Sequence, residues 1–208
     1  RQDAIALGRL AKAYHQLYLR MGDKLDSLLL AISQLESPTK GQVFRLAQYK
    51  NLISALETEL TKFGTFTELE IRSNSQAAIE LAVKQTEAFL SAAGYTMTRS
   101  LPTDAIYNML GFLQEGSPLW KRIGELAPYH TQRVADALLE GIAFGYNPAK
   151  TARMFESVMG GGLTDAMRMT RTTQLYASRE ASRAMYVAND DIISGWTWYS
   201  SLDADTCM

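Results

Sequence analysis

Apolar residues recur at steps of three and four along the first part of the chain. Leu10, Tyr14, Leu17, Met21, Leu25, Leu28, Ile32 and Leu35 form one stripe, the spacing that gathers side chains on one face of a helix. It predicts a helix over about residues 3–36. Ser37-Pro38-Thr39-Lys40-Gly41 breaks it, because a proline lacks the backbone donor that a helix interior requires. A second stripe, Leu46, Tyr49, Ile53, Leu56, Leu60 and Phe63, predicts the next helix, with Gly64 as its stop. Two long amphipathic helices joined by five turn residues fold back as an antiparallel hairpin. The near-heptad spacing favours coiled-coil-like packing between them.

A weaker, alanine-rich stripe of Ala78, Leu81, Ala82, Phe89 and Ala92 predicts a third helix over about 67–93, ending at Gly94. Residues 95–102 read as a loop or short extended segment. The division into an N-terminal helical hairpin or bundle, 1–94, and a second region, 95–208, falls there. Beyond it, Thr103 is a candidate cap for a helix over about 104–115. Ser117-Pro118 and Asn147-Pro148 each pair a capping side chain with a proline suited to the first helical position. They predict a short helix from 118 and another over 148–159. A further helix over 130–144 ends near Gly145. Gly160-Gly161-Gly162 reads as a tight helix–helix corner or a hinge, after which Thr164 caps a long helix over 165–190. Over 192–200 the period changes to two, with Trp196 and Trp198 on one face of a strand and Thr197 and Tyr199 on the other. The expected fold is therefore mainly α, closed by a small C-terminal β unit.

Composition bounds what such a chain does. Its 208 residues, 47% hydrophobic and 21% charged with five prolines, suit one sizeable domain or two small ones with a packed core. A net charge of −1 argues against coating nucleic acid by overall charge. Lys150, Arg153, Arg168, Arg171, Arg179 and Arg183 nevertheless crowd into 34 residues. That run reads first as a solvated helix face and second as a nucleic-acid surface. No apolar run long enough for a membrane span and no signal sequence is evident. One cysteine, Cys207, and two distant histidines, His15 and His130, make neither a disulfide framework nor a closed zinc site. His130 reads as a surface residue near a helix start.

Catalytic motifs do not emerge. The triple glycine has no preceding strand and no following Gly-Lys-Ser/Thr, so it is no phosphate loop. Asp203 and Asp205 form an Asp-x-Asp pair of the kind that holds Mg²⁺, without companion ligands. No Ser/His/Asp arrangement, Gly-x-Ser-x-Gly or His-Glu-x-x-His occurs. The chain is expected to be no enzyme and to need no cofactor.

The C-terminal residues carry the most specific pattern. Arg171-Thr172-Thr173 lies in an Ala/Ser-rich helical run, followed by Gly195-Trp196-Thr197-Trp198 and then Asp203-Ala204-Asp205-Thr206-Cys207. This order resembles the end of the MuF-type phage head morphogenesis domain of minor capsid proteins in tailed bacteriophages. There a helix carries Arg-Thr-Glu, a Gly-x-x-x-Trp segment follows, and Asp-x-Arg-Thr-Cys-x-x-Cys closes the motif. The resemblance runs from Leu138-Leu139-Glu140-Gly141 through the Asn147 turn to Cys207. It departs at Thr173, which takes the acidic position, and at Ala204-Asp205, where an arginine often precedes Thr-Cys. A second cysteine is expected beyond Met208, and further residues before Arg1.

The resemblance implies a minor capsid component of the virion, made with the portal protein and acting in head assembly, DNA packaging or ejection. Scaffold or major capsid protein and packaged DNA are further possible contacts, and a membrane is not. Arg171 is the first choice for a functionally placed residue. Its guanidinium is expected to fork onto Asp203, Asp205 or backbone carbonyls as a structural pair. Trp196 and Trp198 are expected to bury against a small-residue face of Ala177, Ala181, Ala184 and Ala188 rather than to stack on a ligand. Cys207 becomes a metal or redox candidate only with a downstream Cys-x-x-Cys partner. The long N-terminal stripes, if they exceed what the hairpin buries, are expected to dock on the portal. Two alternatives stand beside this reading: a helical delivery or adaptor module preceding a C-terminal effector, and a nucleic-acid-binding protein using the Arg153–Arg183 face.

Overall fold

A computed structural model describes residues 2–36, 38–97, 99–111 and 116–195. Six helices account for most of them: α1 (Gln2–Ser33), α2 (Lys40–Arg45), α3 (Ala47–Ala92), α4 (Thr103–Leu110), α5 (Pro118–Ala143) and α6 (Pro148–Ala188). No helix among the described residues is long and apolar enough to cross a membrane. The predicted strand begins where the described residues end. Trp196, Trp198, Asp203, Asp205 and Cys207 lie outside them.

Local chemistry sets the helix ends. Thr39 and Gln42 form a reciprocal capping box at α2. The Ser117 hydroxyl accepts from the Trp120 amide at 3.1 Å, and Asn147 Oδ1 accepts from the Lys150 amide at 2.8 Å. Each cap precedes a proline at the first helical turn, as the sequence predicts. Gly94 and Gly145, at φ of 84° and 64°, take the left-handed conformation that stops α3 and α5.

α3 is the spine of the molecule, packing against α1, α5 and α6. Its first half meets α1 along the predicted stripes. Leu10, Leu17, Met21 and Leu28 of α1 are buried with Leu52, Leu56, Leu60 and Phe63 of α3. Arg20–Glu59 at 2.7 Å and Arg9–Glu70 at 3.1 Å bracket that contact. The second half turns to α4 and α6, where Ile79, Ala82 and Val83 pack with Ile106, Ala177, Ala181 and Met185. Asn74 Nδ2 donates to Gln174 at 3.0 Å, and the Thr86 hydroxyl donates to Ser182 at 3.3 Å, on the same contact. The largest core joins α1, α3, α5 and α6, so it draws on residues from both sides of position 94.

Three predicted breaks are absent. Gly64 lies inside the 46-residue α3, buried where α5 crosses; a Cβ there would sit 3.7 Å from the Ile123 carbonyl oxygen. Pro128 lies inside α5. Its missing amide removes the helical donor for the Gly124 carbonyl, and Gly124 and Pro128 are both exposed, on the solvent side of the helix where such a loss costs least. Gly160-Gly161-Gly162 lies inside the 41-residue α6. Neither corner nor hinge forms, and Thr164, expected as a cap, donates instead to the Gly160 carbonyl from mid-helix. The α1 stripe from Leu10 to Leu28 is buried inside the molecule. Ala177 and Ala181, part of the face expected to receive the tryptophans, pack with residues of α3 and α4, and the expected tryptophan contact itself lies outside the described residues.

The glycines are there for close approach. A Cβ on Gly162 would meet the Tyr14 hydroxyl at 3.0 Å and the His130 ring at 3.5 Å, whereas one on Gly160 meets nothing within 4 Å. The neighbouring glycines should therefore respond in opposite senses to alanine. Gly160→Ala is expected to stabilise the fold by about 0.5–1 kcal/mol through helix propensity. Gly162→Ala is expected to destabilise by about 1–2 kcal/mol, overpacking outweighing the same gain. Urea denaturation of both variants checks this, and a shared sign would refute close approach as the reason for the run.

Candidate functional site

α5 and α6 diverge on one side of the molecule to leave a cleft of about 870 Å³. Arg122, Tyr129 and His130 line it from α5; Asp165, Arg168 and Thr172 line it from α6. Leu126 and Met169 supply apolar wall. A cleft that mixes apolar wall with a few charged groups suits a small polar ligand or the edge of a partner.

His130 is the least expected residue in it. The sequence suggests a surface histidine near a helix start, because it has no partner nearby in the chain. In the structure it sits mid-helix with its side chain 1% exposed, since α6 folds across it. Its Nε2 meets Asp165 Oδ2 at 3.1 Å, which places the ring proton on Nε2 and leaves Nδ1 unprotonated. Nδ1 has no hydrogen-bond partner among the described residues and lies 3.8 Å from a Cβ position on Gly161. The basic nitrogen thus faces α6 backbone, not the cleft. The pair locks α5 to α6 and does not present a base to a ligand.

Tyr14 completes the crossing from α1. Its hydroxyl donates to the Met159 carbonyl of α6, and its ring meets Phe63 edge-on at 4.9 Å between centroids. Burial pushes its phenol well above the ordinary range, so it remains a donor at any physiological pH. One turn along α1, the Tyr18 hydroxyl donates to Glu156 at 2.6 Å. Burial and that carboxylate push Tyr18 up to about 12.

The residues singled out from sequence fall elsewhere. Arg171 and Thr172 lie on the exposed side of α6, and Thr172 faces the cleft. Thr173 is buried, its hydroxyl donating to the Met169 carbonyl at 2.8 Å. The pairing expected between Arg171 and Asp203 or Asp205 falls outside the described residues. No group of three or more His, Cys, Asp or Glu side chains suited to a metal ion occurs among the described residues. Asn189 is fully buried at the end of α6 and fixes the 95–102 connection. It accepts from the Arg99 amide at 2.9 Å and donates to the Arg99 carbonyl at 2.8 Å and the Met185 carbonyl at 2.9 Å. No local signal marks its role in holding that connection, because Arg99 is 90 residues away in the chain.

Comparison with protein-family models, curated proteins and solved structures finds no match to this chain.

The His130 environment makes stability depend on pH. Burial pushes its pKa below the ordinary 6.5, against the pull of Asp165 and with help from Arg133. A depressed histidine pKa means that the unfolded chain takes up the proton first. The stabilisation is complete above 6.5 and is lost as pH falls from there through the lower folded value. Urea denaturation between pH 7.5 and 5 should show wild type losing up to about 1.4 kcal/mol per pH unit from this residue. His130→Gln, which retains a donor for Asp165, should flatten that part of the curve. Parallel curves for the two proteins would show that His130 titrates normally.

Proposed function

We propose that this chain is a minor capsid, head-morphogenesis protein of a tailed bacteriophage, associating with the portal and acting in head assembly, DNA packaging or ejection. The carrying observation is the order of its C-terminal elements. Arg171-Thr172 stands on the outer side of a long helix that ends at Ala188, shortly before Gly195 and the Trp196-Thr197-Trp198 segment. In this reading residues after Gly195 form the small β unit of a MuF-like core, with Asp203, Asp205 and Cys207 in its closing turn. The helical build supports it: α1, α3, α5 and α6 make one stiff body, and the buried histidine of the cleft holds two helices together.

Docking on the portal uses outward faces, because the inward stripes are occupied. The outer side of α1 still presents Ile5, Leu19 and Leu30, each more than half exposed and about four and three helical turns apart. Such exposed apolar side chains on one helix face suit the edge of a protein interface.

Co-expression with the portal protein of the same phage, followed by size-exclusion chromatography with mass determination, tests the reading. A stable complex is expected, with its stoichiometry read from the mass. The variant Ile5→Ser/Leu19→Ser/Leu30→Ser should keep its helical circular dichroism and weaken the complex at least tenfold. A chain that elutes alone beside correctly assembled portal would overturn the proposal.

A further inference from the structure

The continuity of α6 puts its basic residues on the solvent side of a single helix. Arg153, Arg168, Arg179 and Arg183 each sit midway between two buried residues four apart: Thr151 and Phe155, Ala166 and Thr170, Ala177 and Ala181, and Ala181 and Met185. They therefore point directly away from the core. Lys150 and Arg171 are exposed beside them. Between Arg153 and Arg168 the stripe has a gap of fourteen residues without a Lys or Arg. At about 1.5 Å per residue, the row from Lys150 to Arg183 extends about 50 Å, or about one and a half turns of duplex at about 34 Å each.

The acids on α6 neutralise this face only in part. α6 carries six Lys/Arg and three Asp/Glu. Glu156 binds Tyr18, Asp165 binds His130 with Arg168 only at 4.0 Å, and Glu180 pairs with Arg183 at 3.3 Å. Arg153 and Arg179 make no ion pair among the described residues. At the N-terminal end Lys150 Nζ lies 3.2 Å over the Tyr146 ring, which stacks on exposed Phe144.

We propose that the outward face of α6 binds the phosphate backbone of duplex DNA without reading its sequence. Arginine is the suited side chain, since its planar fork meets two phosphate oxygens at once. A row of exposed cations winding gently along one long helix suits a polyanion of regularly spaced phosphates, whose binding needs no base-edge contacts. A membrane surface fits less well. Leu175 is the one large aliphatic side chain exposed near the centre of the row, whereas an interfacial helix buries a continuous apolar face. The proposal stands whether or not the chain binds a portal.

Fluorescence anisotropy with a labelled random-sequence duplex of about 30 base pairs, across a salt series, tests it with the whole chain. For about six phosphates neutralised, log K should fall against log salt with a slope of about −5. Arg153→Gln/Arg168→Gln/Arg179→Gln should reduce the slope by about three and leave the circular dichroism unchanged. Lys12→Gln/Lys24→Gln, two exposed cations on α1, should leave both slope and affinity as in wild type. No binding at about 50 mM salt, equal losses in both variants, or an unchanged slope in the triple variant would overturn the assignment. So would tighter binding to phosphatidylserine vesicles than to duplex, which would make the row a membrane surface.

Discussion

The fold hangs on one close approach. At Gly161 and Gly162 the backbone of α6 is bare enough for the Tyr14 phenol and the His130 imidazole to lie directly on it. Both rings carry polar atoms into a buried crossing, and each finds a partner on α6: the Met159 carbonyl for Tyr14, the Asp165 carboxylate for His130. A buried polar group without a partner costs on the order of 1–3 kcal/mol, so these bonds fix one register for three helices at once. An aliphatic side chain at Gly162 would separate them. The helix tolerates three glycines, each worth about 1 kcal/mol less than alanine in helix propensity, because tertiary contact at that point outweighs local preference.

Continuity through the glycines has a second consequence. Were α6 broken at 160–162, as the glycines suggest in isolation, its basic residues would divide between two helices with unrelated orientations. As one helix they follow its solvent side, which winds slowly along the axis. Burial along α6 recurs in steps of four and three from Thr151 to Met185, and the arginines occupy the positions opposite. The same residues that let α1 and α5 approach from inside thus align charge on the outside.

The legible parts of the fold were those set by near neighbours. The α1 stripe, the Ser117 and Asn147 caps and the glycine at the end of each of α3 and α5 depend on side chains within four residues, and their positions agree with the structure. Gly64 and the triple glycine differ from their sequence readings because their role is set by another helix, and the helices expected from 118 and over 130–144 are one continuous α5. Glycine at a crossing and glycine at a stop look alike in one dimension. His130 and Asn189 were missed for the same reason: their partners lie 35 and 90 residues away. The one available signal for His130 was its place four residues before Val134 and four after Leu126, both core positions, which puts it on the buried side of α5. The C-terminal motif residues beyond Gly195 stand as sequence readings alone.

What the fold requires and what it merely permits can be separated on α6. Its inward side is constrained by contact with α1, α3, α4 and α5, and any change there disturbs packing. Its outward side carries no such demand. Exposed ion pairs contribute about 0–1 kcal/mol, and neutral polar side chains would keep the helix soluble equally well. Repulsion among six cations on one helix works slightly against the folded state, in a chain whose total charge is −1. The negative charge that balances it is spread over the other helices, α3 alone having six glutamates against four Lys/Arg. Packing thus fixes the inward residues of α6, while its outward cations are held only by local contacts such as Arg183–Glu180 and Lys150 over Tyr146, each of small worth at an exposed site.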